Sequence, residues 1–244
     1  MKPMPPATSP VRYSGAFDNL QASDLRALQE AARRGPLHLL LGSDAAVQAA
    51  TGRPPRFPAA ERRYVLEAVR WVAGVEITDR LDAAPPLPTP AENPAEWPDP
   101  TADARPSGKP GILVTGCYDW LHSGHVRFFE ECAGYGELTV TVGNDATVRA
   151  LKGAGHPLFS DRERRFMVGS IRHVHRALIA TGSGWLDAEP ELRRLRPAVY
   201  AVNEDGDKPE KKAFCAAHGI RYLVLKRLPR EGLPARQSTV LRGF

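Results

Sequence analysis

The chain has 244 residues, of which 42% are hydrophobic and 25% charged, with a net charge of +5 and a pI near 9.3. That is the balance of an ordinary globular protein with enough apolar residues for one large core or two small ones. No apolar run approaches the roughly 20 residues of a membrane span.

The three cysteines, Cys117, Cys132 and Cys215, are odd in number and have no CxxC spacing, so neither a disulfide framework nor a zinc site is expected. The opening MKPMPPATSP lacks the apolar stretch of a secretory signal. A cytoplasmic location follows as the expectation. The arginines are spread along the chain without a dense run, which favours a small polyanion over nucleic acid as the partner of this basic protein.

In chain order, an apolar run at 12–17 reads as a buried strand, and 23–34 as a helix closed by Gly35. LHLLLG at 37–42 is a second strand, ending in Gly42-x-Asp44. A helix over 59–72 and a strand at GVEIT, 74–78, complete this first group. Residues 82–110 are crowded with proline, which restricts its own φ and its predecessor, so a semi-rigid linker is expected there. The pattern then starts again: strand GILVTG at 111–116, helix 124–134 closed by Gly136, strand LTVTVG with Gly143-x-Asp145, helix 161–173 and strand RALIA. Only this second group continues, through helix 187–195, strand AVYAVN at 198–203, helix 209–218, strand YLVLKR at 222–227 and a short helix after Ser238.

The two groups repeat each other. Sliding 11–52 onto 112–153 at a constant offset of 101 makes fourteen of the 42 positions identical, Gly15/Gly116, Asp18/Asp119 and Asp44/Asp145 among them. One inserted residue later, FPAAERRYVLEAVRWV lies on FSDRERRFMVGSIRHV. The expected organisation is therefore a duplicated unit: a degenerate copy at 1–81, the linker at 82–110 and a complete copy at 111–244. Alternating strands and helices of this length predict an α/β fold, a doubly wound parallel sheet built from right-handed crossovers.

In such a sheet, ligands sit beyond the carboxyl ends of the strands where strand order reverses. GCYDWLHSGH lies there, with backbone N–H groups that favour anions at the start of a helix. Gly124 allows close backbone approach, and His122 and His125 are placed to donate to charge developing on a phosphate oxygen. Lys152 follows as a flexible cation, and Arg164 is read as a phosphate clamp. Asp205 and Asp207 in NEDGDKPE end the fourth strand and could hold magnesium or read a base. Ser238 and Thr239 in RQSTVLR open the terminal helix with hydroxyls that can cap it or receive a triphosphate, and Arg236 stands beside them.

Together these residues resemble the cytidylyltransferase-like nucleotidyltransferases, with their glycine–x–aromatic–Asp…HxGH signature, lysine–glycine pair after the second strand and closing S-T motif. The resemblance covers 111–244 in full and 11–78 in reduced form, and it implies a Rossmann-like fold. By it, His122, His125 and Lys152 are catalytic. Gly116, Cys117, Tyr118, Asp119, Gly124, Arg164, Asp205, Arg236, Ser238 and Thr239 face the nucleotide, and Asp119 steadies the loop. The implied reaction is attack by a phosphate or phosphonate oxygen of a small acceptor on the α-phosphorus of an NTP, with magnesium present and pyrophosphate released. CTP is the first expectation for the nucleotide. GDKPE and STVLR lean towards the ATP-dependent enzymes that make ADP-heptose. A nucleotide-binding module without chemistry is the other alternative.

The copy at 1–81 carries Gln21, Asp24 and Thr51 where the complete one has His122, His125 and Lys152, and it lacks the later strands. It is expected to be inactive, imitating a dimer partner within one chain; a homodimer is the alternative.

Overall fold

The computed structural model describes residues 9–89 and 97–241, with the side chains of Thr239 and Val240 outside that description. The chain divides into two units, Met1–Asn93 and Pro94–Phe244. Unit 1 runs β1 (Val11–Gly15), α1 (Ala22–Ala32), β2 (Leu37–Gly42), α2 (Asp44–Thr51), α3 (Ala59–Glu67) and β3 (Val72–Thr78). Its three strands form a parallel sheet in the order β1-β2-β3.

Unit 2 starts with the same series: β4 (Gly111–Gly116), α4 (Ser123–Ala133), β5 (Glu137–Val142), α5 (Asp145–Lys152), α6 (Asp161–Gly169) and β6 (Arg176–Ile179). It continues through α7 (Glu189–Leu195), β7 (Val199–Asn203), α8 (Pro209–Ala217), β8 (Arg221–Leu225) and α9 (Ser238–Leu241). All five strands are parallel, in the order β6-β5-β4-β7-β8. The chain winds outward from β4 in one direction and then returns to wind in the other. Strand order therefore reverses between β4 and β7, which puts the crevice beyond Gly116 and Asn203.

Helices α3 and α6 stop several residues short of the expected 72 and 173. In both units a fully buried β-branched residue, Val69 or Ile171, leaves the helix just after its end and turns into the core.

The units differ where unit 1 has no counterpart of α7. In unit 2, Leu113 on β4 packs with Ala188 and Leu192 of the α7 segment, Tyr200, and Cys215 of α8. Arg12 occupies the place of Leu113 in unit 1 and is exposed, and exposed Glu76 lies on the same side of β3. The truncated sheet has become polar where its covering layer is missing.

The proline-rich stretch is not all connector. At its start, the Ser14 hydroxyl on β1 shares its one proton between the carbonyls of Leu81 and Ala84, and Ser14 N donates to Pro85 O at 2.9 Å. This strap covers the edge of β1 that corresponds to the β7-paired edge of β4. At its end, Trp97 packs on Phe166 with ring centroids 5.2 Å apart, and buried Thr101 accepts from Ala177 N on β6 at 3.0 Å.

Candidate active site

The turn after β4 is built around two stacked imidazoles. His122 is the residue before the first turn of α4, with extended backbone, and its Nδ1 accepts from Gly124 N at 3.1 Å. A nitrogen that accepts carries no proton, so the His122 proton sits on Nε2. Gly124 keeps room for this ring, because a Cβ at that position would lie 3.0 Å from the His122 Nδ1 and press on it. One turn on, the His125 ring stacks on His122 with centroids 3.9 Å apart and planes 18° from parallel. Tyr118, held at φ 50°, meets His125 edge-on at 5.2 Å and leans on Phe129.

His122 Nε2 and His125 Nδ1 are both shut off from solvent, and among the described residues neither atom has a partner in good hydrogen-bond geometry, although the Trp120 backbone lies close enough to the His125 ring to favour its proton. Burial lowers the His122 pKa to about 3, with Arg227 and Arg236 adding to the effect. Burial also holds His125 well below 6.5, helped by the neighbouring His122. Both rings are therefore neutral at physiological pH. A buried N–H without an acceptor is costly to keep; an incoming anionic oxygen would satisfy it.

Asp119 and Arg164 fix the walls of this turn. Asp119 is buried, and its Oδ1 accepts from Leu158 N at 2.7 Å and Phe159 N at 3.1 Å, tying the loop after α5 to the turn after β4. Its expected role of steadying the loop has this geometry. The reading of Arg164 as a phosphate clamp is corrected. Its side chain is fully buried, with Nη1 donating to Cys117 O at 2.7 Å, Nε to Phe159 O at 2.9 Å and Nη2 to Asp145 Oδ1 at 2.7 Å. Arg164 itself is not among the residues that line the cleft. The guanidinium is consumed in joining three loops.

Unit 1 repeats this latch. Arg62 donates to Ala16 O, Phe57 O and Asp44 Oδ1, and Asp18 accepts from Arg56 N and Phe57 N. What unit 1 does not repeat is the pair of rings. Asp24, in the place of His125, turns back to accept from Gln21 N at 2.9 Å and caps its own helix.

The turn opens into a cleft of about 360 Å³. Of the residues expected there, Gly116, Cys117, Tyr118, Asp119, His125, Lys152, Asp205 and Ser238 line it. His122 lies beneath His125 as its stacking partner. Gly124 and Arg236 line an adjoining recess of about 220 Å³. Asp205 is ion-paired with Arg227 at 2.5 Å. Asp207 lines neither cavity and accepts from Tyr222 Oη at 2.9 Å. The Thr239 side chain lies outside the described residues.

Sequence reading missed three basic groups in this cleft: Arg227, Lys211 and His156. Lys211, on the first turn of α8, is buried and donates to Gly206 O at 3.1 Å; burial lowers its pKa, an effect opposed by Asp187. Arg227 ends the YLVLKR segment on the ligand edge, and that position was the available signal. His156 stands four residues beyond Lys152 in LKGAGHP, where the lysine drew attention first.

The proposed magnesium ligands do not fit a protein-built metal site. No group of three potential ligand side chains occurs among the described residues. Asp205 and Asp207 are engaged with Arg227 and Tyr222. Also among the described residues, no helix is long and apolar enough to cross a membrane, and all three cysteines are free thiols.

This chain is similar to known proteins over part of its length. The cytidylyltransferase-like family profile matches residues 113–218. A protein named FAD synthase from Aciduliprofundum boonei is 34% identical over 118 residues, covering 47% of this chain and 76% of its own. The bifunctional protein HldE of Pseudomonas paraeruginosa is 44% identical over 106 residues, covering 42% of this chain. This chain spans only 21% of that HldE's length. A solved lipopolysaccharide core biosynthesis protein from Thermoplasma volcanium aligns with 50% of this chain and 99% of its own, at 23% identity and a TM-score of 0.43.

Proposed function

The chain belongs to the cytidylyltransferase-like family of nucleotidyltransferases, and on that premise we propose that unit 2 transfers a nucleoside monophosphate from an NTP to a small phosphate-bearing acceptor. The observation that carries this reading is the stacked His122–His125 pair at the start of α4, with His125 lining the cleft and His122 Nε2 buried without an acceptor among the described residues.

An oxygen of the acceptor phosphate attacks the α-phosphorus of the NTP. A new P–O–P bond forms, the bond to the β-phosphate oxygen breaks, and pyrophosphate leaves with its electron pair. The stacked pair faces the oxygen gaining charge through His125, which lines the cleft with His122 stacked against it, and Arg227, Lys211 and Lys152 supply positive charge around it. The protein's contribution is placement and charge, since a phosphate acceptor is already ionised at neutral pH. Magnesium would enter with the NTP phosphates as part of the substrate, the way this ion is commonly held when a protein has no cage for it.

The sequence put CTP first. The FAD synthase likeness favours an adenylyl donor, so ATP is the first nucleotide to assay and CTP the second. Unit 1 lacks both rings, the lysine and the later strands, and takes no part in the chemistry on this reading.

The test is pyrophosphate release with ATP and with CTP across a panel of phosphorylated acceptors, wild type against His122→Ala. Acceptor-dependent release that the variant loses supports the reading. Nucleotide binding with no release for any acceptor would favour a binding module without catalysis.

A further inference from the structure

We propose that His156, backed by the buried carboxylate of Asp119, reads the acceptor phosphate at the β5 side of the cleft. The inference deepens the transfer reading above and rests on it for the identity of the ligand as an acceptor. His156 lines the cleft with Lys152, and its Nδ1 lies 3.7 Å from Asp119 Oδ2. The Asp119 side chain is 3% exposed and the His156 side chain 24%. An imidazole that is about a quarter exposed, with a buried carboxylate behind it, gains stability for its charged form when an anion docks in front.

The comparison within the chain separates structure from function here. Asp18 of unit 1 makes the same two amide bonds as Asp119, so those bonds serve the fold. The residues that unit 1 has lost are Gln21 for His122, Asp24 for His125 and Thr51 for Lys152. In the register after the inserted residue, Pro54 stands for His156. His156 therefore goes with the chemistry-bearing set and not with the latch. Facing it is what Asp119 does and Asp18 does not.

Position gives the ligand class. In-line transfer needs the attacking and leaving oxygens on opposite sides of the α-phosphorus. Arg227, Gln237 and Ser238 come from the β8 side of the cleft, while Lys152 and His156 come from α5 and the loop after it. The β8-side group suits the leaving pyrophosphate, which leaves the Lys152–His156 side for an acceptor phosphomonoester. Asp119 lies behind His156, and Lys152 of α5 lines the same side of the cleft.

The test uses histidine-ring NMR on the full chain, titrated with inorganic phosphate as the probe. Phosphate is expected to raise the protonation midpoint of His156 and move its ring signals. Lys152→Gln should weaken that response severalfold. His156→Gln, which leaves the amide bonds of Asp119 in place, should raise the KM of any turned-over phosphorylated acceptor about tenfold with the NTP KM unchanged, as for loss of one charge-assisted hydrogen bond. A His156 ring unmoved by phosphate overturns the proposal, as does a His156→Gln variant whose NTP KM rises as much as its acceptor KM. If no acceptor is turned over by wild type, the transfer reading fails while the phosphate response still decides whether His156 binds phosphate.

Discussion

Arg164 Nη1 donates to the main-chain carbonyl of Cys117 at 2.7 Å, and in the other unit Arg62 makes the matching bond to Ala16. The pair occurs once beside two histidines and once without them, so it holds the strand-to-helix turn in place whatever chemistry the turn carries. Arg164→Ala should destabilise unit 2 by about 3–5 kcal/mol, the range for removing one member of a buried charged network. Denaturant unfolding of the full chain measures this. An Arg164→Ala protein with unchanged stability and a raised NTP KM would restore the phosphate-clamp reading.

His122→Ala or His125→Ala should lower kcat about 10²–10³-fold, the usual cost of one donor aimed at developing transition-state charge. Nucleotide affinity should change much less, because the donor matters most once charge has moved. Single-turnover pyrophosphate release with a separate binding titration checks both halves. Near-normal turnover in either variant would remove the pair from the mechanism.

The buried rings also set a pH dependence. The His122 pKa is lowered from 6.5 in the unfolded chain to about 3 in the fold. Between those values the unfolded state binds the extra proton, so stability rises with pH from about 3 to 6.5 and is level above. The contribution of this one ring is at most about 1.4 kcal/mol per pH unit within that window. His122→Asn keeps a side chain suited to the helix start and removes the titrating group. Its stability should fall less steeply than wild type between pH 6 and about 4. Parallel slopes in denaturation series at several pH values would show that His122 is not held neutral.

The segment before β4 belongs energetically to unit 2. Thr101 accepts from Ala177 N and donates to Asp99 Oδ1 at 2.7 Å, and it is buried. Thr101→Val should cost about 1–3 kcal/mol by leaving the Ala177 amide without an acceptor. For the same reason a fragment beginning at residue 97 should melt higher than one beginning at 111, which also loses the Trp97–Phe166 contact. Equal melting temperatures would return the whole stretch to the status of a linker.

What could be read from the sequence was local or repeated. Buried parallel strands show as unbroken apolar runs, helix ends show through Gly35 and Gly136, and the HxGH turn is contiguous. A doubly wound parallel sheet followed from the alternation of strands and helices, while its strand order was read from the structure. The paired series of elements also held a signal that was passed over. ERR occurs at 61–63 as well as 163–165, so an arginine retained in the copy without histidines already pointed to a structural role.

The destinations of long side chains were decided only in three dimensions. Nothing local to Arg164 says whether its fork meets a phosphate or the carbonyls of Cys117 and Phe159; that depends on how closely three loops approach once the sheet is assembled. Arg227, Lys211 and His156 reach one cleft from β8, α8 and the loop after α5, segments separated by tens of residues, because parallel strands bring all their carboxyl ends to one edge. The sequence by itself determined the strands and helices, the turn and the two rings, since these depend on neighbours along the chain. The tertiary structure decided which charges are free to meet a substrate and which are buried in holding the walls, since a flexible cation is committed by whatever acceptor the fold brings within its reach.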